Sequence, residues 1–319
     1  MFPVGDDGRA RDEFSKAGGA IKLRISDTIL KYGTQYVNLP VLSTDDSRLL
    51  PESVQGVLLT SREREGLEIN IGHFTALSTV YQNSRDSIVA DLGKGLQSLN
   101  LAGASYRFSD TFDAAAYYSD IGNYWRKRYL RLHYQTPLSN RQSLDIDFNY
   151  YHVKSQGKLD RLKLIDSDNW SLTGRYGWDS HGMTLSYQRI SGRGGMPLDI
   201  DGGNTIRLTN SAIFSDFNHE GEKSWQLRYD LDLASMGIPG LNLSVGYVRG
   251  TGIAAHHRHN PQSGRAKEWE RDIALTWRIL SGSFKETTLK LRQFSYRPSG
   301  FSHDMNEIRF IIEYPLKML

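Results

Sequence analysis

Apolar and polar residues alternate along almost the whole chain, in segments of about ten residues separated by turn-forming residues. A period of two is that of an extended strand, whose successive side chains point to opposite faces of a sheet. In the stretch TTLKLRQF, Leu289 and Leu291 share one face, and Lys290 and Arg292 share the other. The pattern predicts an all-β protein in which each strand has one apolar face and one polar or charged face.

Two kinds of β protein have strands of this kind. A soluble sheet faces a core on one side and solvent on the other, whereas a transmembrane β-barrel faces lipid outside and a water-filled lumen inside. We count about fourteen segments in the 319 residues, an even number, and no convincing helix between them. Their length matches the roughly 9–11 residues that a tilted strand needs to cross a bilayer and exceeds the roughly 4–8 of a typical soluble strand. Segment length therefore favours the transmembrane antiparallel barrel over a soluble β-rich protein.

The connections alternate between short turns and long polar stretches, which is typical of an outer-membrane barrel. Tryptophans also lie near the ends of predicted strands, where an aromatic girdle at the membrane interface would place them. They are Trp125, Trp170, Trp178, Trp225 and Trp269. The long connections cover roughly 31–53, 77–96, 155–168, 191–222, 250–268 and 297–305.

Composition excludes several other classes of protein. The 39 basic and 36 acidic residues give a net charge of +3, an excess too small to indicate nucleic acid as a partner. The absence of Cys removes disulfides, thiolate metal sites and a Cys nucleophile. No run approaches the roughly 18 consecutive apolar residues of a membrane-spanning helix. The N-terminal stretch MFPVGDDGRARDEFSKAGGA lacks the apolar region of a secretory signal, so either the protein is cytosolic or its true beginning is missing.

Several separated motifs resemble the OprD-type substrate-specific porins of Gram-negative outer membranes. They are GGAIKLRISDTILKYG, LPVLSTDDSRLLPES, EGLEINIGHFTA, the long stretch from GGNTIRLTNS to LSVGYVRG, and the closing NEIRFIIEYPLKML, and the similarity runs from about residue 5 to the end. The resemblance implies a barrel of about eighteen strands with a narrowed lumen, of which about fourteen are present here. It also implies that 1–17 is part of an extracellular loop, that 18–319 is a barrel incomplete at its N-terminus, and that a signal peptide and the first strands are missing.

The resemblance further implies passive diffusion of small solutes through the outer membrane, without a cofactor and without enzymatic activity. The partners would be outer-membrane lipid and lipopolysaccharide, with the protein a monomer or a weak trimer. Within the family, VLSTDDSRLLPES and DGGNTIRLTNS resemble the group that favours small carboxylates, including aromatic ones, more than the group that favours basic amino acids and small peptides. The second group remains an alternative, as do a soluble β-rich binding protein and a barrel without selectivity.

A column of basic residues on the polar faces is the candidate substrate path. In a narrow lumen, successive cations of similar depth attract a carboxylate and then release it to the next, and Arg can hold a carboxylate by two parallel hydrogen bonds. The candidates also match the positions of the family's basic ladder: Lys22, Arg24, Arg278, Lys290, Arg292 and Arg309. The alternative is that these cations are merely solvated or are paired with Glu313, Asp230 and Asp232. For Arg131, Arg175 and Arg228 we expect pairing with acidic neighbours.

The connection 31–53 has 23 residues without alternation, and loops of this length in a compact fold are usually functional. The resemblance implies that it folds into the lumen and narrows it, with Ser47 and Arg48 at the constriction and Asp45 and Asp46 as counter-charges. The alternative is an ordinary extracellular loop with an Asp–Arg pair. In a channel for basic amino acids, Asp45, Asp46 or Asp199 would read the cationic side chain.

Metal binding and catalysis have little support in the sequence. His256, His257 and His259 lie close together, but no carboxylate or Cys stands at a spacing that would complete a metal site, so we predict no metal there. No G-x-S-x-G motif is present, and the glycines of GGAI and GGNT lack the strand-to-helix context of a phosphate loop. The sequence therefore predicts a protein that is not an enzyme.

Overall fold

The computed structural model describes residues 9, 15–80, 88–89, 94–95, 98–157, 164–198, 206–254 and 266–315. These residues form two compact units. The first unit comprises Met1–Leu132, Asn149–Asp168 and Gly192–Arg207, and the second comprises His133–Phe148, Asn169–Ser191 and Leu208–Leu319. The predicted loop 1–17, Asp199 and the three histidines of 256–259 lie largely or wholly outside the described residues.

Fifteen strands form one sheet, in which each strand pairs with the next sheet strand along the chain. They are β1 (Ala20–Ile25), β2 (Thr28–Gln35), β5 (Ser53–Ser61), β6 (Leu67–Ser78), β9 (Leu99–Arg107), β10 (Phe112–Ile121), β11 (Trp125–Ser139), β12 (Gln142–Ser155), β13 (Asp166–Trp178), β14 (His181–Arg193), β15 (Lys223–Asp232), β16 (Leu241–Ile253), β17 (Ala266–Arg278), β18 (Thr288–Pro298) and β19 (Met305–Glu313). Two short hairpins are separate, β3 (Asn38–Leu39) with β4 (Leu42–Ser43) and β7 (Ile88–Val89) with β8 (Lys94–Gly95). The all-β prediction is confirmed, with one sheet strand more than the expected fourteen, so the number in the described residues is odd.

The two faces of the sheet show the opposite of a soluble protein, because apolar side chains are exposed and polar side chains are buried. Apolar side chains at alternate positions are exposed, such as Ile21 at 64%, Ile25 at 79% and Ile308 at 71%. Polar side chains such as Asn149 and Gln188 are buried instead. Exposed apolar area is unfavourable in water at about 25 cal/mol per Å², so this sheet fits an apolar surrounding. We call the face that carries Arg24 and Arg292 the polar face and the opposite one the apolar face.

The lengths of the connections alternate as predicted except at two places, after β10 and after β18, where 299–304 is shorter than the preceding 279–287. The turns after β1, β11 and β13 have two residues each, 26–27, 140–141 and 179–180. Asp179 adopts a left-handed φ of 46°, as tight hairpin turns require. The intervening connections are mostly long, including 36–52 and 194–222, but the one between β10 and β11 covers only 122–124. The described residues contain no helix that is long and apolar enough to cross a membrane.

Candidate functional site

The predicted basic column lies on one face of β18 and β19 in the second unit. In the register of these strands Arg292 is directly opposite Arg309, and Lys290 lies one position along the same face, opposite Ile311. Leu289 and Leu291 lie on the other face, as the alternation predicted. Arg278 ends β17 and is opposite Thr288, which belongs to the same polar face. The four cations of the second unit therefore share a face.

The cations of the column differ in their partners. Lys290 Nζ lies 2.7 Å from Glu313 Oε1, and Arg309 forms an ion pair with Glu307. Within the described residues Arg292 and Arg278 form no ion pair, although the charge of Arg292 acts on Asp272 of β17. The predicted alternative, pairing with Glu313, thus holds for Lys290. Arg292 and Arg278 are thus the members of the column whose guanidinium groups have no acidic partner in the described residues, and Arg292 lies opposite another cation.

The basic residues of the first unit lie at its first two strands. Lys22 of β1 is directly opposite Lys31 of β2, and Lys22 forms no ion pair in the described part of the chain. Arg24 instead turns to Asp27, with Nη2 2.9 Å from Oδ1. Like charges directly opposite each other in a sheet are destabilising by roughly 0.2–1 kcal/mol. Because Lys22–Lys31 and Arg292–Arg309 both accept this cost on a polar face, we infer that these cations serve a purpose other than stability.

The prediction that three other arginines pair with acidic neighbours is confirmed. Arg131 Nη1 lies 3.0 Å from Asp113 Oδ2 in the first unit. In the second unit Arg228 and Arg175 both approach Asp230, at 2.8 and 3.8 Å. Their charges are neutralised locally, so they add little to an anion path.

Segment 36–52 packs on the polar face of the first unit. Its β3–β4 hairpin buries Val41 completely. Ser119 Oγ of β10 donates to the Val41 carbonyl at 3.2 Å, and the Tyr151 hydroxyl of β12 donates to the Pro40 carbonyl at 3.0 Å. Strand β2 continues to Gln35, so the irregular connection is shorter than the predicted 31–53. The alternation in TILKYGTQ was hidden because polar and small residues fill both faces there.

The tip of segment 36–52 presents Ser47 and Arg48 to solvent. Asp45 Oδ1 accepts a hydrogen bond from the Ser47 amide at 2.8 Å, and the Asp45 amide donates to Glu52 Oε2 at 2.9 Å. Arg48 forms no ion pair with Asp45 or Asp46, all three of which the structure describes. The alternative of an Asp–Arg pair is therefore wrong. Next to the tip is a cavity of about 450 Å³, whose lining includes Thr44, Asp46 and Arg207.

The hydroxyl of Tyr151 provides a test of how segment 36–52 is held. Tyr151→Phe leaves the partly buried Pro40 carbonyl without this donor, which costs about 1 kcal/mol. We expect faster limited proteolysis within 36–52 and a higher single-channel conductance in planar bilayers. Tyr150→Phe is the matched control, since the Tyr150 hydroxyl bonds Asp168 on the apolar face. Equal behaviour of the two variants would contradict this role of Tyr151.

Residues 208–222 of segment 206–222 pack on the polar face of the second unit, an arrangement that the sequence did not predict. Glu270 of β17 is fully buried and accepts hydrogen bonds from the Phe214 and Ser215 amides, both at 2.8 Å. The Phe214 ring stacks on Phe294 of β18, with centroids 5.6 Å apart. Gln188 of β14 donates to the Phe217 carbonyl at 2.9 Å. The sequence signal for this contact is EWERD, in which acidic residues occupy alternate positions on one face of β17. If they are buried, these carboxylates need hydrogen-bond donors from outside the strand.

A sheet that buries polar side chains and exposes apolar ones defines a protein of the transmembrane β-barrel class. Comparison with known proteins then places the chain within that class. A family model described as outer membrane porin, OprD family, matches residues 1–318. Porin D of Pseudomonas aeruginosa is 37% identical over 339 residues, covering 100% of this chain and 76% of Porin D. The porin-like protein GalP of Pseudomonas putida is 31% identical over 331 residues, with coverage of 100% and 76%.

Solved structures agree with this placement. Acinetobacter baumannii OccAB1 matches with a TM-score of 0.87 at 31% identity, over 100% of this chain and 81% of that chain. Pseudomonas aeruginosa OpdK with vanillate matches with a TM-score of 0.86 at 29% identity, over 99% and 82%. The chain belongs to the OprD family of substrate-specific outer-membrane porins of Gram-negative bacteria, and it is not an enzyme. The alternative of a soluble β-rich binding protein is wrong, and the polar face is the lumen face.

Proposed function

We propose that the protein conducts small carboxylates, aromatic ones among them, along the basic column by passive diffusion. The observation that carries the proposal is the register pair Arg292–Arg309, two like charges kept directly opposite each other on the polar face. Lys290 and Arg278 continue that face toward the short-turn end of the strands. A carboxylate beside Arg292 would accept charge-assisted hydrogen bonds from its guanidinium, and Arg309, which Glu307 already pairs, would add its charge from directly opposite. Lys22, Arg24 and Lys31 would provide a second basic stretch in the first unit.

Segment 36–52 has the second role in the proposal. Its hairpin is held to the polar face by Ser119 and Tyr151, while Arg48 at its tip has no acidic partner in the described chain. A narrowing element with an available guanidinium would select solutes by size and by negative charge together. Ser47 would add a hydroxyl donor beside it. One of the related structures, that of OpdK, contains vanillate, an aromatic carboxylate, which supports this substrate class.

Basic amino acids are a second candidate substrate class, favoured by one observation. Asp272 of β17 lies on the polar face, opposite Phe294, and its buried Oδ1 has no hydrogen-bond partner. An acidic oxygen near the basic column could read a cationic group while the α-carboxylate lies on the guanidinium groups. Asp45 is a weaker candidate for this role, since its side chain already accepts from Ser47.

The test is anion selectivity in planar bilayers, measured as reversal potential in a salt gradient and as block by benzoate. We expect a preference for anions and a benzoate block that Arg292→Ala weakens about five- to tenfold, the effect of about 1 kcal/mol or slightly more. Arg141→Ala removes the same charge at an exposed turn and should leave both readouts unchanged. A preference for cations, with block by arginine instead of benzoate, would favour the amino-acid channel.

A further inference from the structure

Three side chains of the second unit meet where segment 206–222 leads into β15, next to the first residues of β17. They are His219, Glu222 and Glu268, and one donor atom from each lies within 4.8 Å of the other two. Glu222 and Glu268 are at most 1% exposed, whereas the side chain of His219 is 41% exposed. The group is thus two buried carboxylates with one imidazole between them and solvent.

Each carboxylate uses one oxygen within the protein and leaves the other without a partner. Glu222 Oε2 accepts from the His219 amide at 3.0 Å, and Glu268 Oε2 accepts from Ser215 Oγ at 3.0 Å and from the Tyr296 hydroxyl at 2.5 Å. Glu222 Oε1 and Glu268 Oε1 are buried and have no hydrogen-bond partner. His219 Nε2 lies 3.8 Å from Glu268 Oε1. Two carboxyl oxygens without a donor and a ring nitrogen therefore face one another.

The surroundings keep this arrangement open to a small ligand. A Cβ at Gly250 would lie 1.8 Å from Glu222 Oε1, so only glycine leaves room for that oxygen. The ring of Phe301 packs edge-on against His219, with centroids 5.0 Å apart, and shields one side. Within 206–254 and 266–315, no Lys or Arg forms an ion pair with either carboxylate. The charge of a buried carboxylate pair needs a cation or a proton nearby.

We propose that His219, Glu222 and Glu268 form a binding site for a divalent transition-metal ion such as Zn²⁺. One imidazole and two carboxylates are a donor set that such ions accept, with bonds of about 2.0–2.2 Å. Ser215, Tyr296 and the His219 amide orient the carboxylates from behind, as outer-shell groups do in metal sites. The ion would join segment 206–222, through His219 and Glu222, to strand β17, through Glu268. The bond would fasten that segment to the polar face beside the Phe214–Glu270 contacts.

A proton is the competing occupant. Burial, together with the neighbouring Glu268 charge, raises the pKa of the Glu222 carboxyl well above its ordinary value in the metal-free protein. A proton shared by the two carboxylates would satisfy them without recruiting His219. The two occupants differ in whether the imidazole contributes, and the test uses that difference.

The test is calorimetric titration of the detergent-solubilised porin with Zn²⁺, without a histidine tag and with His256, His257 and His259 replaced by Ala to remove other imidazoles. We expect one-to-one binding, and His219→Ala and Glu268→Gln should each weaken it at least about tenfold. Ser215→Ala removes the hydroxyl that orients Glu268 and accepts from the Phe217 amide, and it should weaken binding about tenfold. His303→Ala removes an exposed histidine that does not belong to the donor set and should change nothing.

Heat-modifiable gel mobility checks that each variant is folded, and Co²⁺ absorption provides a second readout of the same donor set. A d–d spectrum of a four-coordinate Co²⁺ that is lost in His219→Ala would support the site. Absence of saturable Zn²⁺ binding, or equal binding by the His219→Ala and His303→Ala variants, would overturn it. Neither result bears on carboxylate selectivity, which is measured separately through Arg292.

Discussion

Arg292→Glu is expected to abolish carboxylate block and shift the channel toward cations. The substitution turns attraction of a permeating carboxylate into repulsion, each worth about 1–4 kcal/mol at 4 Å near a protein surface. The new Glu would also place a second carboxylate beside Arg309, which Glu307 already pairs, and so cancel the remaining positive charge there. One substitution thereby removes the attraction of Arg292 for benzoate and weakens that of Arg309, so benzoate affinity should fall well over tenfold. Block and reversal potential in planar bilayers measure the effect.

The stability of the Arg292→Glu variant shows whether a change in selectivity comes from the lost charge or from misfolding. Attraction to Arg309 and repulsion from Asp272 act in opposite directions, so we expect the free energy of unfolding to change by no more than about 1 kcal/mol. The temperature at which the heat-modifiable band shifts should therefore change little. Arg292→Gln should give an intermediate selectivity, and Arg141→Glu should leave selectivity unchanged. Retention of anion preference by a folded Arg292→Glu protein would contradict the role of the basic column.

Glu270→Ala is expected to release segment 206–222 and to destabilise the protein. The carboxylate is fully buried and accepts from two backbone amides, of Phe214 and Ser215. The buried Ser215 amide left without its acceptor costs about 1–3 kcal/mol, and the partly buried Phe214 amide adds a smaller cost. We expect a lower midpoint of thermal unfolding, faster proteolysis within 206–222 and larger, noisier single-channel currents. The Phe214–Phe294 stack alone is too weak to hold the segment, at about 0.5–1.5 kcal/mol.

Two variants control the experiment on Glu270. Glu270→Gln keeps one acceptor oxygen, so it should destabilise the protein by roughly half as much as Glu270→Ala. Glu63→Ala removes a carboxylate that also accepts from a backbone amide, that of Asp27, but in an exposed turn where water replaces it. An unchanged unfolding midpoint for Glu270→Ala would show that the segment is held by other contacts.

The alternation predicted the all-β class and the faces of the strands, including the face that the cations of β18 and β19 share. It succeeded because a period of two fixes which residues share a face, whatever the partner strand is. Leu291 and Arg292 are an example, since register places them on opposite faces. The acidic pairing of Arg131, Arg175 and Arg228 was also predictable, because Asp113 and Asp230 stand nearby in the same phase.

Side chains that segments 36–52 and 206–222 bring to the strands were not predictable from periodicity. Glu270 was not recognised because its partners are backbone amides of Phe214 and Ser215, far along the chain. The group of His219, Glu222 and Glu268 escaped for the same reason, and the sequence, in which only the histidines at 256–259 were considered as a metal site, predicted no metal. The alternation along a strand shows which face of the sheet each residue lies on. It does not show which loop packs on that face.

Uptake by proteoliposomes of glucose and of glucuronate, its carboxylate counterpart, tests the central claim most directly. The two solutes differ mainly in one negative charge, so their ratio isolates the effect of the basic column. We predict that glucuronate enters faster than glucose and faster than arginine, and that Arg292→Ala removes most of this advantage while Arg141→Ala does not. Equal entry of glucuronate and glucose, or faster entry of arginine, would contradict the proposed carboxylate selectivity.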